Sequence, residues 1–271
     1  MKAGIDFGAS LVKSVWMKSN EYKFYSTAYS TLEEIKYHME TDGISTINIG
    51  GIRYNKNLEN ELKNFKINKL EGNAIENEIK IQSKGVKKLL ENELYKEKDF
   101  LLVSVGTGTS YTMVSENKIT RLPGSSFGGG IINSLGKILG AESYQEIGKA
   151  NGKSLDLLIK DVLPETEGTF EGELIIANFG KAERNSKKEE LYTTLINTVA
   201  VSIIKDIRLM DSLSKIPNNI VYIGSTISNT KTLKDRLDVY SKFIGKSPYF
   251  PNKGEFSLAI GLYHTGDKNG I

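Results

Sequence analysis

Apolar residues alternate with polar ones in short runs along this chain, and between those runs they recur every three or four positions. The first habit marks strands and the second marks helices. An apolar stretch at 2–6 ends on Asp6, a turn follows at Phe7-Gly8-Ala9-Ser10, and an alternating run covers 11–17. This predicts a β-hairpin, with a third strand over 22–28. A helix is expected over 32–40, where Thr31 and Glu34 are spaced as a capping box. A strand follows at 45–49, closed by Gly50 and Gly51, and 58–65 predicts a short helix. Residues 74–94 carry Ile75, Ile79, Ile81, Val86, Leu89 and Leu90 at helical spacing, which predicts one helix, or two meeting near Gly85.

The second half repeats the opening. The run Phe100–Val105 reads as a buried strand, Gly106-Thr107-Gly108-Thr109 as a tight turn, and 110–114 as the returning strand. A third candidate strand leads to Arg121, and Gly124-Ser125-Ser126-Phe127-Gly128-Gly129-Gly130 feeds a helix over 131–139 that Gly140 would cap. Residues 143–150 and 154–162 are expected to be helical and 161–173 a polar loop. A long helix is expected over 186–213, with Ser186 and Glu189 as its capping pair, then a buried strand at Asn219–Ile223 and helices at Lys231–Phe243 and 256–264. The weak internal repeat implies two similar α/β domains, 1–98 and 99–271, facing one another.

Composition narrows the chemistry. A net charge of +3 gives no reason to expect nucleic acid. Cysteine is absent, which excludes a disulfide framework, a thiol nucleophile and thiolate-held zinc or iron–sulfur. Only His38 and His264 offer imidazole, so no His-rich metal site is expected. The start MKAGIDFG has no basic segment ahead of a long apolar one, and no apolar run approaches the ~20 residues of a membrane helix. A soluble, cytoplasmic protein is the expectation.

Four stretches could carry chemistry. Asp6 ends a strand before a glycine turn, which suits Mg2+ bound to a nucleotide, since Mg2+ takes one or two carboxylates plus waters and phosphate oxygens. Gly8 admits a close phosphate, the turn amides and Ser10 can donate to it, and Lys13 adds charge. Alone, this is equally an ordinary hairpin. The turn at Gly106–Thr109 adds Thr107 and Ser110 hydroxyls, and two such turns across a cleft would hold phosphates from both sides. Gly128-Gly129-Gly130 at a helix start reads as an anion site of free amides. Such glycines cost on the order of 1 kcal/mol each within a helix, so close approach is the reason to keep them. Finally, Gly224-Ser225 after a buried strand could pass an adenosine, as many α/β junctions could. A phosphoryl acceptor needs a general base. Ser104 stands where the second hairpin would match Asp6, so the base lies elsewhere: Glu71, Glu76 and Glu78 are candidates, and a helix start that favours acids explains all three equally. Arg121 could hold a carboxylate or a phosphoryl group.

Read together, Asp6-x-Gly-x-x-x-x-Lys13, Ser104-Val105-Gly106-Thr107-Gly108-Thr109-Ser110 and Arg121-Leu-Pro-Gly124-Ser-Ser-Phe-Gly128-Gly129-Gly130 resemble the type II pantothenate kinases of the acetate and sugar kinase/actin superfamily. Glu78 with Lys84-Gly85, Ala177-Asn178-Phe179-Gly180, Tyr222-Ile223-Gly224-Ser225 and the segment from Gly254 to Gly261 extend the resemblance over nearly the whole chain. It implies an α/β fold of two actin-like (ribonuclease H-like) domains around a nucleotide cleft, and ATP- and Mg2+-dependent phosphorylation of pantothenate. It implies Glu78 as the base, with Arg121, Ser110 and Ala177 at the pantothenate. It also implies that Asp6, Phe7, Gly8, Ala9, Ser10, Leu11, Val12, Lys13 and Thr107 handle phosphates and metal. Gly129, Gly130, Ile131, Ile132, Asn133 and Ser225 would contact nucleotide, and the chain would form a homodimer. One departure is Ala9-Ser10, where the family has Gly-Thr. Two other readings stay open: a hexosamine or sugar kinase, which would place an Asp base where Ser104 stands, and a non-catalytic nucleotide-binding regulator. Dehydratase-type activator ATPases need cysteines that this chain lacks.

Overall fold

Two five-stranded sheets of the same plan dominate the computed structural model, which describes residues 1–69, 74–169 and 171–266. The first sheet joins β1 (Lys2–Phe7), β2 (Val12–Lys18), β3 (Glu21–Thr27), β4 (Thr46–Gly50) and β5 (Lys66–Lys69) in the order β3-β2-β1-β4-β5. Its helices are α1 (Leu32–Thr41), α2 (Lys56–Glu61) and α3 (Ala74–Asn92). The second sheet uses β6 (Phe100–Val105), β7 (Thr109–Val114) and β8 (Ile119–Ser125). After these come α4 (Gly129–Ile138), α5 (Tyr144–Gly148), β9 (Leu157–Leu158), α6 (Ile159–Val162), β10 (Ile175–Ala177) and α7 (Lys188–Ser214). The chain closes with β11 (Asn219–Ile223), α8 (Ser225–Asn229), α9 (Lys231–Phe243), β12 (Ser247–Tyr249) and α10 (Ser257–Tyr263). The second sheet runs β12-β11-β6-β7-β8, and β9 and β10 pair separately.

In both sheets the central strand runs antiparallel to the strand after it and parallel to the strand that returns through helices. Asp6 pairs with Lys13 and Gly50; Ser104 pairs with Ser110 and Ile223. The internal repeat is therefore one of topology and register, and Ser104 does occupy the place of Asp6. Each central strand is buried on both faces, as strands covered by helices on two sides must be. In β1, Ala3, Ile5 and Phe7 meet α1 through Ile35 and Met39, while Gly4 faces α10. In β6, Leu101 and Val103 meet α7 through Ile196, Val199 and Ile203; Phe100 and Leu102 meet Val86 and Leu90 of α3. The long helix α7 is thus core along that stripe.

The two halves join where α3 crosses α10. A Cβ on Gly85 would lie 1.8 Å from the Ser257 carbonyl oxygen, and one on Gly261 would lie 2.0 Å from that of Ile81. Gly85 is therefore a contact inside one continuous helix and does not break it. The end of the chain returns to the first sheet: α10 packs Ala259 and Ile260 with Val15 of β2, and Asn48 of β4 donates to the carbonyls of Leu262 at 2.8 Å and Thr265 at 3.1 Å.

Other local expectations are corrected. Neither predicted capping box forms. Thr31 donates to Ala28 and Glu34 accepts from Thr27; Ser186 accepts from the Glu183 amide and Glu189 from the Asn151 amide. Helix α2 starts earlier than expected because Asn55 caps it through the amides of Asn57 and Leu58. Residues 154–162 are not a helix. Leu155 donates its amide to Thr194 at 2.8 Å and accepts from the amide of Lys181 at 2.9 Å, so the backbone bonds outward, runs extended into β9, and turns once as α6. Gly140 does follow α4, with φ of +89°.

Candidate active site

The two hairpin turns meet face to face. Ser10 Oγ of the first and Thr107 Oγ1 of the second lie 3.3 Å apart, and both line a cleft of about 910 Å3 between the sheets. Gly8, Ala9, Ser10 and Leu11 line it from one side, Gly106, Thr107 and Gly108 from the other. Asp6 and Lys13 also line it, with Lys13 Nζ 3.6 Å from Asp6 Oδ2. Asp6 is only 6% exposed. Burial raises its pKa and the Lys13 ammonium opposes that rise. Phe7 and Val12 flank the turn but point into the first core, so their side chains do not reach the cleft.

The glycine triplet works differently from the expectation. The Gly129 amide donates to the Gly106 carbonyl and the Gly130 amide to that of Thr107, both at 2.8 Å. These two amides are spent on the second hairpin and are not free for an anion. The glycines are required by close approach: a Cβ on Gly128 would lie 2.8 Å from Gly108 backbone, and one on Gly129 would lie 2.3 Å from Thr226 Oγ1. Gly129, Gly130 and Asn133 line the cleft, whereas Ile132 is core and Ile131 packs against it. Ser225 lines the cleft at the start of α8, after Gly224 at φ +113°, where a Cβ would lie 2.2 Å from the Val105 carbonyl oxygen. Gly51 repeats this in the first domain, at φ +106° and 2.5 Å from the Phe7 carbonyl oxygen.

Of the three acidic candidates, Glu78 lines the cleft, Glu76 is exposed outside the lining, and Glu71 lies outside the described residues. Burial raises the Glu78 pKa, the negative charge of Asp6 raises it further, and the Arg121 guanidinium opposes both. Arg121 and Ser110 line the same cleft, from β8 and β7. Ala177 does not line the cleft. Its segment is held elsewhere by the buried Asp156, which accepts from the Asn178 side chain and the Phe179 amide, each at 3.1 Å, and from Asn197 of α7 at 2.5 Å. Sequence reasoning also missed Gln82, one turn beyond Glu78, and Tyr144, Thr226 and Asn229 near Ser225. Gln82 was findable from the i, i+4 spacing on α3; the others follow only from how α5 and α8 meet.

The donor set fits a magnesium nucleotide. One buried carboxylate beside two hydroxyls leaves coordination positions for water and phosphate oxygens. Among the described residues no group of three or more His, Cys, Asp or Glu could hold a metal by itself, and no helix is long and apolar enough to cross a membrane.

Comparison with known proteins accords with this geometry. The Fumble family model matches residues 21–264. The type II pantothenate kinase of Staphylococcus saprophyticus is 30% identical, covering 97% of this chain and 100% of that protein. That of a Bacillus cereus strain is also 30% identical, covering 98% of each. Among solved structures, component A of the Acidaminococcus fermentans (R)-2-hydroxyglutaryl-CoA dehydratase aligns with a TM-score of 0.61 at 14% identity, over 97% of this chain and 96% of that one. A ROK family glucokinase from Streptomyces griseus aligns with a TM-score of 0.53 at 10% identity, over 97% of each. These two show the fold alone, an α/β pair of actin-like domains around a cleft. With a family model over most of the sequence and full-length relatives at this identity, the chain belongs to the Fumble family and, within it, to the type II pantothenate kinases.

Proposed function

We propose that this protein transfers the γ-phosphoryl group of ATP to the primary hydroxyl of pantothenate, giving 4'-phosphopantothenate, the first step of coenzyme A biosynthesis. The observation that carries the reading is that Glu78 and Arg121, far apart in sequence, line one cleft together with the two facing hairpins and act on one another electrostatically. Glu78 accepts the hydroxyl proton as the oxygen attacks. Its raised pKa suits a base that must both take and release a proton. Arg121 holds the pantothenate carboxylate and Ser110 donates beside it. Asp6 would hold Mg2+, which offsets charge on the phosphates; Ser10, Thr107 and Lys13 bind the phosphate chain. Ser225, Asn133 and Tyr144 hold the nucleoside end. The division into domains 1–98 and 99–271, a homodimer and a cytoplasmic location belong to the same reading. ADP release measured with pantothenate, glucose and N-acetylmannosamine in parallel tests it. Pantothenate alone should raise turnover above the acceptor-free rate, and stimulation by a sugar with none by pantothenate would overturn it.

A further inference from the structure

The turn between β1 and β2 has an alanine at its second position, yet its peptide planes are fixed from behind. The Gly8 carbonyl accepts from the Tyr29 hydroxyl at 2.6 Å. The Ala9 carbonyl accepts from Arg53 Nη1 at 3.1 Å, and the Arg53 amide donates to the Phe7 carbonyl at 3.1 Å. The Arg53 guanidinium lies 4.9 Å from the centre of the Tyr29 ring, so the two side chains brace one another. Neither residue lines the cleft, while Gly8, Ala9 and Ser10 do. The carbonyls are thus drawn to the side away from it.

A planar trans peptide carries its C=O and N–H on opposite sides, and every described peptide here is trans. Holding the Gly8 carbonyl back turns the Ala9 amide to the cleft, and holding the Ala9 carbonyl back does the same for the Ser10 amide. Neither amide has a partner among the described residues. We propose that Tyr29 and Arg53 are positioning residues for the phosphoryl donor: together they clamp the first hairpin so that the Ala9 and Ser10 amides stand preset for phosphate oxygens. The proposal rests on the nucleotide reading of the cleft.

The second hairpin supplies the comparison. There the Gly106 carbonyl accepts from Thr226 Oγ1 at 2.9 Å and from the Gly129 amide, and the Thr107 carbonyl accepts from the Gly130 amide. The same two carbonyls of the turn are tied down, mostly by the start of α4. In the first hairpin two side chains do the work instead, Tyr29 from the 3-10 turn that leads into α1 and Arg53 from the turn after β4. An unclamped turn would have to order its amides on binding, and fixing them beforehand removes that cost from nucleotide affinity. Burial pushes the Tyr29 hydroxyl up to about 12, so it remains a donor at neutral pH.

The test compares binding of ADP with Mg2+ and of adenosine, by calorimetry, to the wild-type chain and to Tyr29→Phe, Arg53→Met and Arg53→Lys. A phenyl ring behind the turn cannot touch phosphate, so Tyr29→Phe isolates the clamp from any direct contact. Tyr29→Phe and Arg53→Met should each weaken ADP about tenfold, the effect of one lost hydrogen bond, with adenosine affinity and the KM for pantothenate unchanged. Arg53→Lys should recover part of the loss. Unaltered ADP affinity in Tyr29→Phe, or equal weakening of ADP and adenosine, would overturn the clamp. A wild-type chain that binds no ADP would instead overturn the nucleotide reading beneath it.

Discussion

At the scale of single residues, Glu78 carries the most weight. It is held partly out of water, near the negative Asp6, and the Arg121 guanidinium opposes both effects. The variant Glu78→Gln should lose on the order of 10²–10⁴ in kcat with little change in ADP affinity; near-normal turnover would remove Glu78 from the reaction. The wild-type rate should rise with pH through a limb lying above the usual glutamate range, because the base acts only when deprotonated. Stability runs the other way. A carboxyl whose pKa is higher in the fold than in the unfolded chain contributes stability below its unfolded pKa and loses it as pH rises through the folded value. Thermal unfolding should therefore show Glu78→Gln above the wild type at neutral pH, with the gap closing as pH falls below the ordinary glutamate value. A gap that widens on acidification would contradict the burial argument. Asp6, Gly8, Ser10, Lys13, Thr107 and Ser225 were legible in the sequence because strand, turn and hydroxyl stand next to one another in the chain. Tyr29 and Arg53 were not, since they reach the turn from behind through folding alone. The glycines at 129 and 130 were found, but their amides turned out to serve the neighbouring hairpin.

At the scale of elements, periodicity revealed what was long and failed on what was short. Helices α7 and α9 and strands β6 and β11 were legible from buried repeats. Strands β5, β9, β10 and β12 have two to four residues each, too few for alternation to register. The predicted caps failed because Thr27 and Asn151 from other elements claimed Glu34 and Glu189, and a local turn claimed Ser186 through the Glu183 amide. The crossing of α3 and α10 offers the sharpest test of packing. In an exposed helix, Gly→Ala gains about 1 kcal/mol. Gly261→Ala should instead cost on the order of 1–3 kcal/mol in urea unfolding, since the new methyl meets the Ile81 carbonyl and the helices must part. A stabilised variant would mean that the helices do not cross as closely as described.

At the scale of the whole molecule, one topology is used twice, and the proposed site lies where the copies differ. Asp6 in the first copy has Ser104 as its counterpart in the second, so the carboxylate is present on one side of the cleft only. Glu78, the proposed base, sits on α3, the helix that passes between the sheets and contacts both α10 and β8. The register explains why the repeat was visible at the two hairpins and faded elsewhere: the turns must resemble one another to face across a cleft, and the helices need only cover their own sheets. The most direct test of the central claim is the product itself. The purified chain, given ATP, Mg2+ and pantothenate, should yield phosphopantothenate seen by phosphorus NMR as a new phosphate monoester, in equal amount to ADP and formed on the order of 10²–10⁴ times more slowly with Glu78→Gln. ADP formed at the same rate without pantothenate, and no phosphate monoester, would contradict the account.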